Sequence, residues 1–260
     1  MPLNLVDRII GGTYAKRRFQ RVYRRVHHVA LTGLNYGYSD PELNGEHAFL
    51  DRVTKQWGGQ PAVAFDVGAF HGTWSTAVLE RAPSATVHAF EPIANSYTQL
   101  AANLDGIAHA HRYAIGAKTE TAEMYAPVGH IGEHASLYDR DLSGMNVAVE
   151  AIGSVPVTSL DEFCAEQQIE HIHLLKLDTE GHELSVLEGA PRLLAARAID
   201  TMQFEFGGAN IDSRTFLRDI VGVLSPTHKV YRLLKDGLEP VRLDEREEIF
   251  TYANYIALPA

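Results

Sequence analysis

The chain has 260 residues, of which 45% are apolar and 22% charged. That length and balance suit one large α/β domain with room for an extension, and exclude an overall disordered chain. The net charge of −10 argues against a general nucleic-acid binder. The single cysteine, Cys164, rules out an internal disulfide and favours a reducing, cytoplasmic setting. It lies in "LDEFCAEQQ" as a small core residue of a helix rather than a nucleophile. The sequence contains no apolar run long enough to cross a bilayer.

Charge is unevenly placed. Residues 1–30 carry +6, leaving −16 for the remainder. Over 14–31, Phe19, Val22, Tyr23, Val26 and Val29 follow a helical period, with Arg17, Arg18, Arg21, Arg24 and Arg25 between them. Such a helix either packs with a solvated basic face or rests on an anionic membrane surface or an acidic partner. Asp40-Pro41 and Asn44-Gly45 then break the chain before a helix from Glu46 to Trp57. These patterns divide the chain into an N-terminal helical extension, 1–57, and a second unit, 58–260.

From Pro61 a βαβ rhythm begins. Strands are predicted at 62–67, 86–91 and 110–116, with helices between them. Residues 117–158 break the rhythm and read as weak strands with a mobile lid near 128–146. Helix 159–168, strand 171–177, helix 183–196, strand 199–206 and helix 213–224 follow. The tail reads as antiparallel, with a hairpin at Asp236-Gly237.

The turn "FDVGAFHG" joins the first strand to a helix. Gly68 permits a tight turn, Gly72 lets the helix start lie close, and exposed N–H groups are expected to face a ligand. Glu91 ends the next strand, where an acid accepts hydrogen bonds from ribose hydroxyls. Phe70 occupies the place where a pyrophosphate-binding loop needs glycine, which speaks against a nicotinamide-dependent oxidoreductase. A nucleoside cofactor without pyrophosphate fits, and S-adenosylmethionine is the obvious one.

Together "FDVGAFHGTWS", "HAFEPIANSYTQLAANL", "LLKLDTEGHELSVLEGA" and "QFEF" resemble the FkbM family of S-adenosylmethionine-dependent methyltransferases. The resemblance implies a Rossmann-like class I fold: a mostly parallel seven-stranded sheet whose last strand is antiparallel. It also implies O-methylation of a sugar, glycolipid or related natural product, with N-methylation as the alternative. Cofactor contacts are expected from Glu46, Asp66, Gly68, Ala69, Gly72, Glu91, Pro92, Ala114 and Asp178.

Doubly wound sheets bind ligands beyond the carboxyl ends of their strands. Asp66, Glu91, Asp178 and Glu205 all fall near such ends, and so should share one crevice. Asp178 is the first candidate for base or orienting group and His182 the second, with Glu205 beside them. Glu180 is expected to orient Asp178 or cap the following helix. Asp178 and Glu205 leave Mg²⁺ open, while His130 and His134 form a weak metal pattern. Acceptor identity, peripheral membrane contact and a homo-oligomer are left open by the sequence.

Overall fold

The computed structural model describes residues 10–129, 134–245 and 248–260. Strands are numbered in chain order. The main sheet runs, edge to edge, β10 (Leu238–Pro240), β9 (His228–Leu233), β11 (Ala253–Pro259), β8 (Ile199–Phe206), β7 (Ile172–Leu177), β1 (Val63–Val67), β2 (Thr86–Phe90) and β3 (His109–His111). β3, β2, β1, β7 and β8 are mutually parallel, and β11 runs antiparallel to both β8 and β9. This is the expected class I arrangement, with β10 added to the edge as the hairpin partner of β9.

Helices cover both faces, which explains why the central strands read as unbroken apolar runs. Alternation along the strands divides the core in two. Phe65, Val67, Leu175, Leu177 and Phe204 pack on Phe163, Leu187, Leu217 and Ile220 on one face, where Cys164 is also buried. Ala64, Val87, Leu174 and Ile256 pack on Phe49, Leu50, Trp74 and Val78 on the other. The helix Glu46–Gln56 therefore belongs to the core of the sheet. What stands apart from that core is the preceding segment Gln20–Gly33, in which no residue is buried.

Several elements differ from expectation. The strand predicted over 110–116 splits, because Ala114–Ile115 (β4) leaves the main sheet to pair with β6 (Val149–Thr158). β6 also pairs with β5 (Glu120–Pro127), so the irregular segment supplies two strands of a second, three-stranded sheet that β4 completes. The helix predicted over 183–196 is two, Glu183–Glu188 and Pro191–Ala195, with Pro191 opening the second. The helix expected from 213 is Leu217–Leu224, preceded by the short Ala209–Asp212. Among the described residues no helix is long and apolar enough to cross a membrane.

Candidate active site

Two tiers of polar side chains sit at the carboxyl ends of β1, β7 and β8. Asp66, Lys176 and Gln203 are register neighbours, so all three project from the same face of the sheet. Two residues further along, Asp178 and Glu205 project from that face one level higher. The lower tier is buried, with Asp66 and Gln203 wholly so and Lys176 7% exposed. A buried ammonium needs compensation. Burial disfavours the Lys176 charge, but the carboxylates of Asp178, Asp66, Glu46 and Glu205 outweigh that and push its pKa above the ordinary lysine value. Its Nζ lies 2.8 Å from Asp178 Oδ2.

Asp66 is thus placed beneath the rim rather than on it. Its Oδ2 accepts a hydrogen bond from Ser75 Oγ at 2.7 Å, and burial raises its pKa against the opposing pull of Lys176. Its Oδ1 has no partner. Glu46 is also buried. It accepts hydrogen bonds from the side-chain amides of Asn44 (2.6 Å), Gln203 (2.8 Å) and Asn254 (3.2 Å).

Three cavities meet at Asp178. The first, about 290 Å³, is lined by Gly68, Phe70, Glu91, Pro92, Ala114 and Ile115 among others. The second, about 390 Å³, is bounded by Ser39, Arg140, Glu180, Glu205, Asn210 and Tyr252. The third, about 210 Å³, is bounded by Glu46, Ala69, Trp74, Lys176, Glu205 and Tyr252. Asp178 lines all three. Glu91 and Asp178 therefore share the first cavity, and Asp178 and Glu205 share the other two.

The glycine turn shapes this junction differently from the sequence expectation. The Gly68 and Ala69 N–H groups donate to the Phe90 carbonyl, and the Phe70 N–H donates to Glu91 Oε2. These three amides are spent on the protein, so at 68–70 the loop contributes shape rather than free donors. Gly68 has φ +85°, and a Cβ there would stand 1.8 Å from the Asp178 carbonyl oxygen. Gly72 packs away from the cavities: a Cβ there would meet Leu100 at 2.8 Å.

Glu91 is 5% exposed, and burial pushes its pKa up to about 7. Its Oε1 accepts the Ile93 N–H at 2.8 Å. A carboxylate has about four lone-pair sites, so capacity remains for two further donors. The Glu205 carboxyl is also pushed well above the usual carboxylate range, through burial and the neighbouring Asp178 charge, although Tyr252 Oη donates to it at 2.7 Å.

His182 faces the first cavity only, away from Glu205. Its Nδ1 is 3.1 Å from Tyr138 Oη, and burial lowers its pKa to about 4. Glu180 does not cap the following helix. Held at φ +51°, it is gripped by Arg140 Nη1 at 2.7 Å and His134 Nδ1 at 2.7 Å. Glu183, the first residue of that helix, instead ties down the preceding turn, accepting from Thr179 N, Thr179 Oγ1 and Gly181 N. Sequence reasoning missed Arg140, Tyr252 and Asn254, each brought in from another element.

The segment read as a lid reaches this site. Ser136 pairs with Tyr125 through backbone hydrogen bonds and donates its Oγ to the Glu180 carbonyl at 2.8 Å. His134 thus pairs with Glu180, while His130 lies outside the described residues.

At the Asp178–Glu205 junction, a buried ammonium already supplies the compensating positive charge, which does not favour Mg²⁺. Among the described residues, the group with three ligand atoms close together is His171, His173 and Asp200, at the opposite end of the sheet. There the Val63 N–H donates to His173 Nδ1 at 3.0 Å. That bond leaves the proton of a neutral imidazole on Nε2 and removes it as a ligand.

A nucleoside methyl donor fits better. The Gly68 cradle would not admit a side chain, Glu91 has spare acceptor capacity, and Trp74 Nε1, at the third cavity, is buried without a hydrogen-bond partner.

The chain is similar to several known proteins. One curated relative is the AMB antimetabolite synthetase AmbE of Pseudomonas aeruginosa, 30% identical over 63% of this chain and 9% of that protein. Another is the hexuronic acid methyltransferase AglP of Haloferax volcanii, 26% identical over 59% of each. The chain therefore spans 9% and 59% of the lengths of these relatives. A similar solved structure is a precorrin-6y C5,15-methyltransferase from Geobacter metallireducens, with 10% identity and a TM-score of 0.44 over 87% of this chain and 98% of that one. An O-methyltransferase from Bacillus cereus gives 9% identity and a TM-score of 0.43 over 98% and 96%. The methyltransferase FkbM domain matches residues 66–234, and the chain belongs to that family.

Proposed function

We propose that the protein transfers a methyl group from S-adenosylmethionine to a hydroxyl of a sugar, glycolipid or related natural product. The observation that carries this reading is the junction of three cavities at Asp178. When bound, the donor supplies a methyl group on a sulfonium, whose positive charge is lost in the transfer. Glu91 would hold the ribose, and Gly68, Pro92 and Ala114 would wall the adenosine. Glu46, Ala69 and Trp74 would bound the space for the amino-acid end. The second cavity, flanked by Glu205 and Tyr252, would receive the acceptor.

Asp178 is then the group nearest both partners. The Lys176 ammonium at 2.8 Å fixes the orientation of its carboxylate. In that transfer Asp178 would take the hydroxyl proton while S-adenosylhomocysteine leaves. Positioning supplies most of the acceleration, and the base adds roughly 10²–10⁴-fold. Glu205, fixed by Tyr252, orients the acceptor hydroxyl. His182, neutral at pH 7, forms part of the cofactor wall rather than serving as the base. Resemblance to a hexuronic acid methyltransferase supports a sugar acceptor.

The acidic ring of Asp178, Glu180 and Glu205 favours one second reading, methylation of an amine. An amine carries its own lone pair once deprotonated and needs less from Asp178.

The test uses labelled methyl donor and the carbohydrate fraction of a cell extract, with calorimetry on S-adenosylhomocysteine. Asp178→Ala should bind the product within about tenfold of the parent and lose at least about 10²-fold in turnover. Undiminished turnover would remove Asp178 from the chemistry and favour the amine reading.

A further inference from the structure

The helix Gln20–Gly33 has no place in the chemistry above, and none of its residues is buried. Val22, Val26 and Val29, at i, i+4 and i+7, form one stripe and are 56%, 59% and 69% exposed. Arg21 and Arg25 flank that stripe on one side, and Arg18 stands in the 3-10 turn Arg17–Phe19 just before the helix, all three exposed. The helix is anchored near its end, where Leu31 packs on the core and Tyr36 is buried. Beyond it, the Gly37 N–H donates to the Tyr252 carbonyl at 2.7 Å, and Ser39 lines the second and third cavities.

We propose that this helix docks the protein on an anionic phospholipid surface, with the valine stripe in the acyl boundary and the arginines on lipid phosphates. A helix with a strongly charged face, an apolar stripe and low overall hydropathy lies in the interface plane. Guanidinium groups grip phosphate oxygens bidentately. Charge complementarity selects this occupant. Residues 1–30 carry +6 and the rest of the chain −16, so an anionic bilayer attracts the helix and repels the body. A second copy seated on the stripe would instead bring like-charged arginines together. An acidic protein surface would pair the arginines but leave the valines in water.

Docking also bears on the acceptor, and that part rests on the methyl-transfer reading. Six peptide steps from Gly33 to Ser39 span at most about 20 Å. The second cavity therefore opens within reach of a membrane-bound amphiphile, and the acceptor class is a lipid-linked sugar.

The probe is vesicles of phosphatidylcholine with and without phosphatidylglycerol, co-sedimented with the full chain at low and high salt. Binding is expected only with phosphatidylglycerol and should fall steeply with salt. Arg18→Gln and Arg21→Gln should each lower partitioning about fivefold. The double substitution Val22→Ser and Val26→Ser should lower it at least tenfold at low salt, with product-induced thermal stabilisation unchanged. No association with anionic vesicles, or equal association by the valine variant, would overturn the proposal. So would light scattering that shows self-association abolished by the same substitutions. If vesicles bind but S-adenosylhomocysteine does not, docking stands and the methyl-transfer reading falls.

Discussion

Glu91 links the site to pH. Burial raises its pKa to about 7, so at pH 6 the free protein holds it mostly protonated. Ribose hydroxyls donating to the carboxylate would favour the ionised form. Binding of S-adenosylhomocysteine should therefore release close to one proton at pH 6 and few at pH 8, with affinity rising up to about tenfold over that span. Calorimetry in buffers of different ionisation heat measures the release, and Glu91→Gln should abolish it. The same shift has a stability consequence. Between pH 4.5 and about 7 the native chain keeps a proton that the unfolded chain has lost, so this group's contribution to stability falls as pH rises. The identities of Asp178, Glu91 and Glu205 were legible because strand ends are legible. That Asp66 lies beneath the rim was not, because tier depends on strand register. Nor were the partners of Glu180 and Glu205, since Arg140 is 40 residues from the one and Tyr252 is 47 from the other.

At the scale of elements, the turn after β1 is the most demanding. A Cβ at Gly68 would combine a left-handed backbone with a 1.8 Å clash against the Asp178 carbonyl oxygen. Backbone cannot yield as a flexible side chain does. Gly68→Ala should cost about 3 kcal/mol or more and weaken product binding, because Asp178 must move. Gly58→Ala is the control. It has φ +59° but nothing within 4 Å of the added methyl, and should cost about 1 kcal/mol with binding intact. Denaturant melts and product titration on both variants separate strain from site displacement. The central strands were legible because buried parallel strands are continuous apolar runs bounded by turns. The second sheet was poorly legible: much of β5 and β6 is exposed, and their pairing is interrupted by a bulge at Met124/Tyr125. The 183–196 helix was read as one because its apolar period continues across Gly189, although Pro191 restarts it.

Across the whole molecule, the cavities are closed by pieces distant in sequence. Ser39 and Glu46 come from before the sheet, Asp178 and Glu205 from its centre, Tyr252 from its end, and His134 and Arg140 from the segment beside the second sheet. A ligand filling the junction ties these pieces together and stabilises only the folded chain. At one hundred times its dissociation constant, S-adenosylhomocysteine should add about 2.7 kcal/mol. For a chain of this size that raises the melting temperature by roughly 5–10 °C. NAD(H) should give no such rise, because Phe70 stands where a pyrophosphate needs open backbone and the loop amides already serve the Phe90 carbonyl and Glu91. Differential scanning calorimetry with each ligand separates the two cofactor classes. An equal rise with NAD(H) would mean that this loop can release its amides, and would return the oxidoreductase reading to contention.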